Sequence, residues 1–216
     1  KQLGYGGMAE VFLAVAHGAS GFEKRVAIKT LLPEFRGDGE YERLLIDEAV
    51  RAARFSHKNI VSVQDLGNFQ GTYYVRMDWV DGADLAALLE RGAKPTVPLA
   101  LYVLEEVASA LAYLHALTDD EGRPLGLVHR DVSPSNVLVS RAGEVKLGDF
   151  GIARATMLAE VTRSGVRKGK YAYMAPEQVA GGTFTAASDQ FAFGVTAHEM
   201  FLGRRPYEGA TPLVTM

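Results

Sequence analysis

A chain of 216 residues that is 48% apolar and 23% charged has the length and composition to bury a sizeable core, which excludes the disordered and collagen-like classes. Its net charge of −3, with no basic block, gives no footprint for nucleic acid or a membrane surface. With no cysteine, disulfides, thiolate metal sites and a thiol nucleophile are excluded, and a reducing cytoplasm is the compartment that fits. Leu3 to Val15 then reads as a strand, a turn built on Gly4, Gly6 and Gly7, and a second strand. Consecutive amide N–H groups in such a turn can cradle phosphate oxygens, although glycine turns in hairpins are common. The turn matches no Walker A loop, and the alternating segment after it argues against a dinucleotide fingerprint.

Val26-Ala27-Ile28-Lys29 is a short strand ending in a lysine, either solvated or aimed at phosphates held by the glycine turn. Gly39 to Phe55 has helical periodicity, with Leu44, Leu45, Glu48, Ala52 and Phe55 near one face. An acid beside an apolar face needs a partner, because burying an unpaired carboxylate is costly. Lys29 is the natural one. Asn59 to Leu66 and Gly71 to Val80 read as a hairpin turning at Asn68-Phe69-Gln70-Gly71. Asp81-Gly82-Ala83-Asp84 breaks the pattern and leads into a helix from Leu85, so the expected boundary separates a strand-rich segment, 1–80, from a helix-rich one, 81–216. Leu99 to Leu117 is a long helix whose Glu105 and Glu106 argue for burial against a core and not for a bilayer span. Thr118 to Pro124 is a polar loop.

His129-Arg130-Asp131-Val132-Ser133-Pro134-Ser135-Asn136 lies between the apolar runs Leu127-Val128 and Val137-Leu138-Val139, and Asp149-Phe150-Gly151 follows the strand-like Glu144 to Gly148. Asp131, Asn136 and Asp149 suit one base and two metal ligands. Residues 152–174 form a long polar loop with little periodicity, and Ala186 to Leu202 is an apolar helix with Asp189 near its start. The chain enters directly on a glycine turn and stops at Met216 without a capping signal. It therefore reads as part of a longer protein, whose other segments could include a membrane anchor.

Taken in order, the Gly-x-Gly turn, Val-Ala-Ile-Lys, a helical Glu, His-Arg-Asp-x-x-x-x-Asn, Asp-Phe-Gly and Ala-Pro-Glu at 175–177 resemble the signature set of eukaryotic-type protein kinases over essentially the whole chain. Gly6-Gly7-Met8-Ala9, Asp149 to Arg154 and Tyr173 to Gln178 look most like the bacterial Ser/Thr protein kinases. The resemblance implies a bilobal α+β fold: a small antiparallel-sheet N-lobe with one regulatory helix, and a mainly helical C-lobe lacking its last helices. It implies transfer of the ATP γ-phosphoryl group to serine or threonine hydroxyls of protein substrates, with Mg²⁺, or Mn²⁺ as an alternative. By resemblance, Gly4, Gly6 and Gly7 cover ATP, Leu3, Val11, Ala27 and Leu138 sandwich adenine, and Asp78 and Val80 offer backbone hydrogen bonds beside a gatekeeper Met77. Asp84 stands where the family contacts ribose. Lys29, paired to Glu48, bridges the α- and β-phosphates, Asn136 and Asp149 hold the metal, and Asp131 takes the substrate proton.

Three features bear on activity and control. Ala9 replaces the third glycine of the loop, a mild change. Ser133 stands where the family usually has a lysine that meets the γ-phosphate, and Lys170 stands where Ser/Thr kinases usually have a threonine. The two functions look exchanged, with Lys170 reaching in for the missing cation; otherwise Lys170 is a solvated loop lysine. Arg130 is expected to bind a phosphate on the loop at Thr162 or Ser164, with Thr156 the weaker acceptor. A dimer would be compatible with such phosphorylation in trans. Two alternatives are a pseudokinase or nucleotide-binding scaffold, motivated by Ser133, and a small-molecule phosphotransferase, disfavoured by Ala175-Pro176-Glu177 and the long loop.

Overall fold

A computed structural model describes residues 1–150 and 170–207, and of Lys170 the backbone alone. The chain divides into two compact units, Lys1–Ser56 with Val61–Trp79, and His57–Ile60 with Val80–Met216. The division falls one residue before the end of the strand-rich segment expected at 1–80. It also assigns 57–60 to the second unit.

The first unit is an antiparallel sheet of five strands, β1 (Gln2–Tyr5), β2 (Ala9–His17), β3 (Glu23–Leu31), β4 (Val63–Phe69) and β5 (Thr72–Asp78), in the order β1-β2-β3-β5-β4. Directly opposed residues of an antiparallel ladder share a face. Val11 lies opposite Lys29 and Lys29 opposite Val75, while Ala27 lies opposite both Leu13 and Met77. One face therefore carries Val11, Leu13, Ala27, Lys29, Val75 and Met77. Helix α1 (Gly39–Ala52) packs on β3, β4 and β5. Asp38 caps its start by accepting the Glu40 N–H at 2.9 Å. Glu40 and Glu42 in the first turn and Arg51 in the last suit the helix dipole. The helix stops three residues before the Phe55 expected from periodicity, though Phe55 itself is buried. The β4–β5 turn places Gln70 and Gly71 at φ 50° and 81°, a left-handed pair that glycine eases.

The expected first strand of that hairpin begins four residues too early. Residues 57–60 turn away to the second unit, where the Asn59 amide donates to Glu106 Oε2 at 2.5 Å and to the Val145 carbonyl at 2.9 Å. Those partners lie 47 and 86 residues away in the chain, so local alternation could not reveal them.

The second unit contains a sheet of β6 (Gly82–Asp84), β7 (Val137–Ser140) and β8 (Val145–Leu147), with helices α2 (Leu85–Glu90), α3 (Val97–His115), α4 (Pro176–Val179) and α5 (Ala186–Leu202). Helix α3 buries Ala100, Val103, Leu104, Val107, Ala110, Leu111 and Leu114, a stripe at helical spacing that packs against α5 and β8. Among the described residues it is the one helix long and apolar enough to cross a membrane by length and composition. Glu106, midway along it, is tied to Lys58 Nζ at 2.9 Å as well as to Asn59. Gly203, at φ 68°, ends α5 in the left-handed cap that suits glycine.

Candidate active site

In the first unit, Lys29 Nζ lies 2.6 Å from Glu48 Oε1, joining β3 to α1, with both side chains about nine-tenths buried. Each charge compensates the desolvation of the other, so neither is stable there alone. The glycine turn is closed by the Gly6 N–H donating to the Ala9 carbonyl at 2.8 Å, and the Met8 carbonyl accepts the Leu32 N–H at 2.9 Å. A Cβ on Gly4 would meet nothing within 4 Å. Local packing does not demand glycine there, and the open space beside the backbone is what a closely approaching ligand would use. Leu3 sits at a bulge in the β1–β2 ladder, and Val11, Ala27 and Met77 share the Lys29 face. Asp78 gives its N–H to the Ser62 carbonyl at 3.0 Å. Its carboxylate receives Gln64 Nε2 at 2.5 Å and Lys24 Nζ at 3.4 Å, while Arg25 lies over the Trp79 ring.

In the second unit, the short helical turn Pro134–Asn136 follows the loop that carries Asp131. Asn136 Nδ2 donates to the Asp131 carbonyl at 2.6 Å and to Asp131 Oδ2 at 2.7 Å, and the Asn136 carbonyl accepts the Gly148 N–H at 2.9 Å. Three hydrogen bonds thus link the candidate base, the candidate metal amide and the residue before Asp149. With both Nδ2 bonds made to Asp131, the oxygen of the amide remains to serve as a ligand atom. Asp149 itself sits at φ 53°. No cluster of three or more histidine or acidic side chains suited to a metal occurs among the described residues. Asn136 and Asp149 fit a hard divalent ion of the Mg²⁺ type, which takes one or two protein oxygens and completes its shell with phosphate and water.

His129 is fully buried and works through both ring nitrogens. Nε2 faces the Gly148 carbonyl at 3.2 Å, and Nδ1 faces the Asp131 N–H at 3.3 Å. A carbonyl only accepts and an amide N–H only donates, so the ring is the Nε2–H tautomer with Nδ1 as acceptor. Burial lowers its pKa, against opposing contributions from Asp189, Asp131 and the Gly148 carbonyl, and keeps the ring neutral. The ring also packs on Phe150, centroids 4.7 Å apart. Asp84 caps α2 through Oδ1, accepting the Ala87 N–H at 2.8 Å, and Leu138 pairs with Asp84 across β6 and β7. Ser133 is buried, its hydroxyl 3.0 Å from that of Ser135.

Arg130 adopts φ 71° and its guanidinium lies over the Phe184 ring. Thr162, Ser164 and Thr156 lie outside the described residues, and Lys170 heads a short helical turn, Lys170–Tyr173. Sequence reasoning gave Asp189 no role. Its carboxylate, 1% exposed in the first turn of α5, accepts the His129 N–H on Oδ2 and the Arg130 N–H on Oδ1, each at 2.8 Å. An acid inside an apolar helix was the available signal, the same one that singled out Glu48.

A family model described as "Protein tyrosine and serine/threonine kinase" matches residues 1–215. Tyrosine-protein kinase MasK of Myxococcus xanthus is 41% identical over 220 residues, covering 100% of this chain and 34% of that protein. Serine/threonine-protein kinase PknA of Mycobacterium tuberculosis is 39% identical over 209 residues, covering 94% of this chain and 46% of its own length. Serine/threonine-protein kinase PrkC of Bacillus subtilis is 35% identical, covering 97% and 31%. The chain thus spans less than half the length of each of these relatives. The crystal structure of the M. tuberculosis PknI kinase domain superposes with a TM-score of 0.69 at 33% identity, over 96% of this chain and 73% of that one. The chain belongs to the protein tyrosine and serine/threonine kinase family.

Proposed function

We propose that this segment is the catalytic part of a protein kinase that transfers the γ-phosphoryl group of ATP to serine and threonine hydroxyls of protein substrates. The family uses ATP with a divalent metal ion, and Mg²⁺ is the ion proposed here. The observation that carries the reading is the double hydrogen bond from Asn136 to Asp131, joined through Gly148 to the Asp149 segment. In the proposed reaction Asp131 accepts the substrate hydroxyl proton as the O–P bond forms and the bond between the γ-phosphorus and the β–γ bridging oxygen breaks, leaving ADP. Asn136 and Asp149 hold the metal, which offsets charge on the phosphates, and Lys29, fixed by Glu48, binds the α- and β-phosphates. The adenine set is Leu3, Val11, Ala27, Met77 and Leu138. Asp78 contributes its carbonyl, since its N–H is engaged with Ser62, and Val80 its backbone. Asp84 reaches ribose with the oxygen not used for capping. Gly4, Gly6 and Gly7 cover the phosphates.

Lys170 is proposed to supply the cation that Ser133 cannot, and Arg130 to bind a phosphate on Thr162 or Ser164, added in trans within a dimer. The cytoplasm is the proposed compartment for this segment, with any membrane anchor elsewhere in the protein. A second reading, transfer to tyrosine, is favoured by the printed name of the M. xanthus relative. The presence of Lys29, Glu48, Asp131, Asn136 and Asp149 together weighs against a pseudokinase. The test is transfer of radiolabelled phosphate from Mg-ATP to a protein substrate, followed by analysis of the phosphorylated amino acid. Phosphoserine and phosphothreonine, abolished by Asp131→Asn, support the main reading; phosphotyrosine supports the second; label unaffected by Asp131→Asn overturns both.

A further inference from the structure

A turn built on Gly4, Gly6 and Gly7 has no side chains of its own to hold its shape, and glycine backbone is the most costly to order. The bond from the Gly6 N–H to the Ala9 carbonyl closes it internally, so its position depends on the two arms that enter and leave it. The entering arm, β1, is four residues long, exposed throughout and interrupted by a bulge between Gln2 and Gly4. A strand with so few buried contacts gives the turn little hold.

Both arms meet the connection between β3 and α1 at one carboxylate. Glu10 of β2 lies opposite Tyr5 of β1 and Thr30 of β3, and it projects from the face opposite to that of Val11 and Lys29, because successive side chains of a strand alternate. Its Oε2 receives Gln2 Nε2 at 3.2 Å and its Oε1 receives Arg36 Nη2 at 3.0 Å. Arg36 Nε also donates to the Leu31 carbonyl at 3.0 Å, so one guanidinium spans the end of β3 and the base of the turn. The next residue, Leu32, gives its N–H to the Met8 carbonyl at 2.9 Å. Residues 31–36 thus grip the leaving arm at Met8 and Glu10, and lead on into α1, which carries Glu48. Exposed ion pairs usually contribute little. Here the Glu10 side chain is 12% exposed, and the rigid guanidinium fork serves acceptors on two different strands. Removing it leaves a carboxylate mostly out of water short of a donor and frees the connection from both contacts.

We propose that Arg36 is a positioning residue for nucleotide binding: through Glu10 it fixes the glycine turn against the β3–α1 connection, so that the turn amides stay in place to meet phosphate oxygens. It acts from the face away from Lys29, and its role rests on the reading that the turn covers nucleotide phosphates. Calorimetry of Mg-ADP and of adenosine binding to wild type, Arg36→Met, Glu10→Gln and the double variant reads this without any phosphoryl transfer. The Kd for Mg-ADP should rise at least about fivefold in Arg36→Met, while that for adenosine, which offers the turn no phosphate, stays within about twofold. General damage to the fold would weaken both ligands alike. The Gly6 and Leu32 amides should exchange with solvent at least about fivefold faster, with the amides of β5 unchanged. Because Arg36 acts through Glu10, the double variant should bind Mg-ADP no more weakly than Arg36→Met alone.

Unchanged Mg-ADP binding in Arg36→Met overturns the proposal. So does an equal weakening of adenosine, or a loss that simply adds up in the double variant. A wild type that binds Mg-ADP no better than adenosine removes the phosphate role of the turn and the proposal with it. If wild type binds Mg-ADP with the expected response to Arg36→Met yet transfers no phosphate, the kinase reading fails and the positioning role stands.

Discussion

His129 and Asp131 are joined by an unusual polarity: the backbone N–H of Asp131 donates to the Nδ1 of His129, 3.3 Å away, while the other ring nitrogen donates to Gly148. A single neutral ring therefore spans from the candidate base to the residue before Asp149. Protonating Nδ1 would remove the acceptor and place a charge in a fully buried position, so the pairing requires the neutral form.

This fixes the sign of one pH dependence. Burial lowers the folded-state pKa of His129 below its ordinary value near 6.5. Above that pH neither state binds the proton and the group contributes no slope. Below it the unfolded chain binds a proton that the folded chain refuses, so stability falls as pH falls, by at most about 1.4 kcal/mol per pH unit. Urea unfolding between pH 7.5 and 5.5 should show this slope in wild type and a shallower one in His129→Phe. Parallel slopes would assign the acid sensitivity to other groups.

The Lys29–Glu48 pair separates stability from function. Both side chains are about 10% exposed, so removing one partner leaves a buried charge and should cost about 3–5 kcal/mol. Lys29→Met and Glu48→Leu should each lower the unfolding midpoint, and the double substitution should recover much of the loss while remaining inactive. If the double variant is no more stable than the singles, the two charges are not compensating each other. Denaturant titration reads the first effect and labelled-phosphate transfer the second.

Much of this was legible because the chemistry is spaced along short stretches. Asp131, Asn136 and Asp149 stand out by residue type and interval, Lys29 takes its expected role only from the resemblance, and the strands of the sheet follow from alternation and turn residues. What was hidden depends on partners distant in sequence. The strand expected from Asn59 includes Asn59 and Ile60, yet Asn59 is claimed by Glu106 and Val145 within the second unit. Asp189 and His115 look like an acid at a helix start and a histidine at a helix end, and only the fold brings them to 2.8 Å. Likewise α1 ends at Ala52 although Phe55 stays buried: burial outlasts helical geometry, and hydrophobic periodicity reports only burial.

The Ser133 and Lys170 exchange predicts a specific rescue. Lys170→Ala should lower kcat about tenfold or more if its ammonium serves the transferring phosphoryl group, within the range for one charge stabilising the transition state. Restoring the cation from the other position, with Ser133→Lys in a Lys170→Thr background, should return a substantial part of the activity. Ser133 is buried and bonded to Ser135, so the unfolding midpoint of that double variant must be followed alongside its rate. A Lys170→Ala protein with normal kcat would remove the idea.

Two glycines should respond in opposite directions to the same methyl group. At Gly82, opposite Ser140 in the β6–β7 ladder, an added Cβ would lie 1.9 Å from the Val139 carbonyl oxygen and 2.7 Å from Ser140 Cα. Those are backbone atoms, so β6 itself must move, and Asp84, which caps α2, moves with it. Gly82→Ala should destabilise by about 1–3 kcal/mol, the range for forcing atoms into filled space. At Gly194, on the exposed side of α5, an added Cβ meets nothing within 4 Å. There alanine relieves the entropic penalty of a helical glycine and should stabilise by up to about 1 kcal/mol. Thermal or urea unfolding of the two variants side by side tests both signs, and a stabilising Gly82→Ala would mean that β6 does not hold its ladder position against β7 in solution.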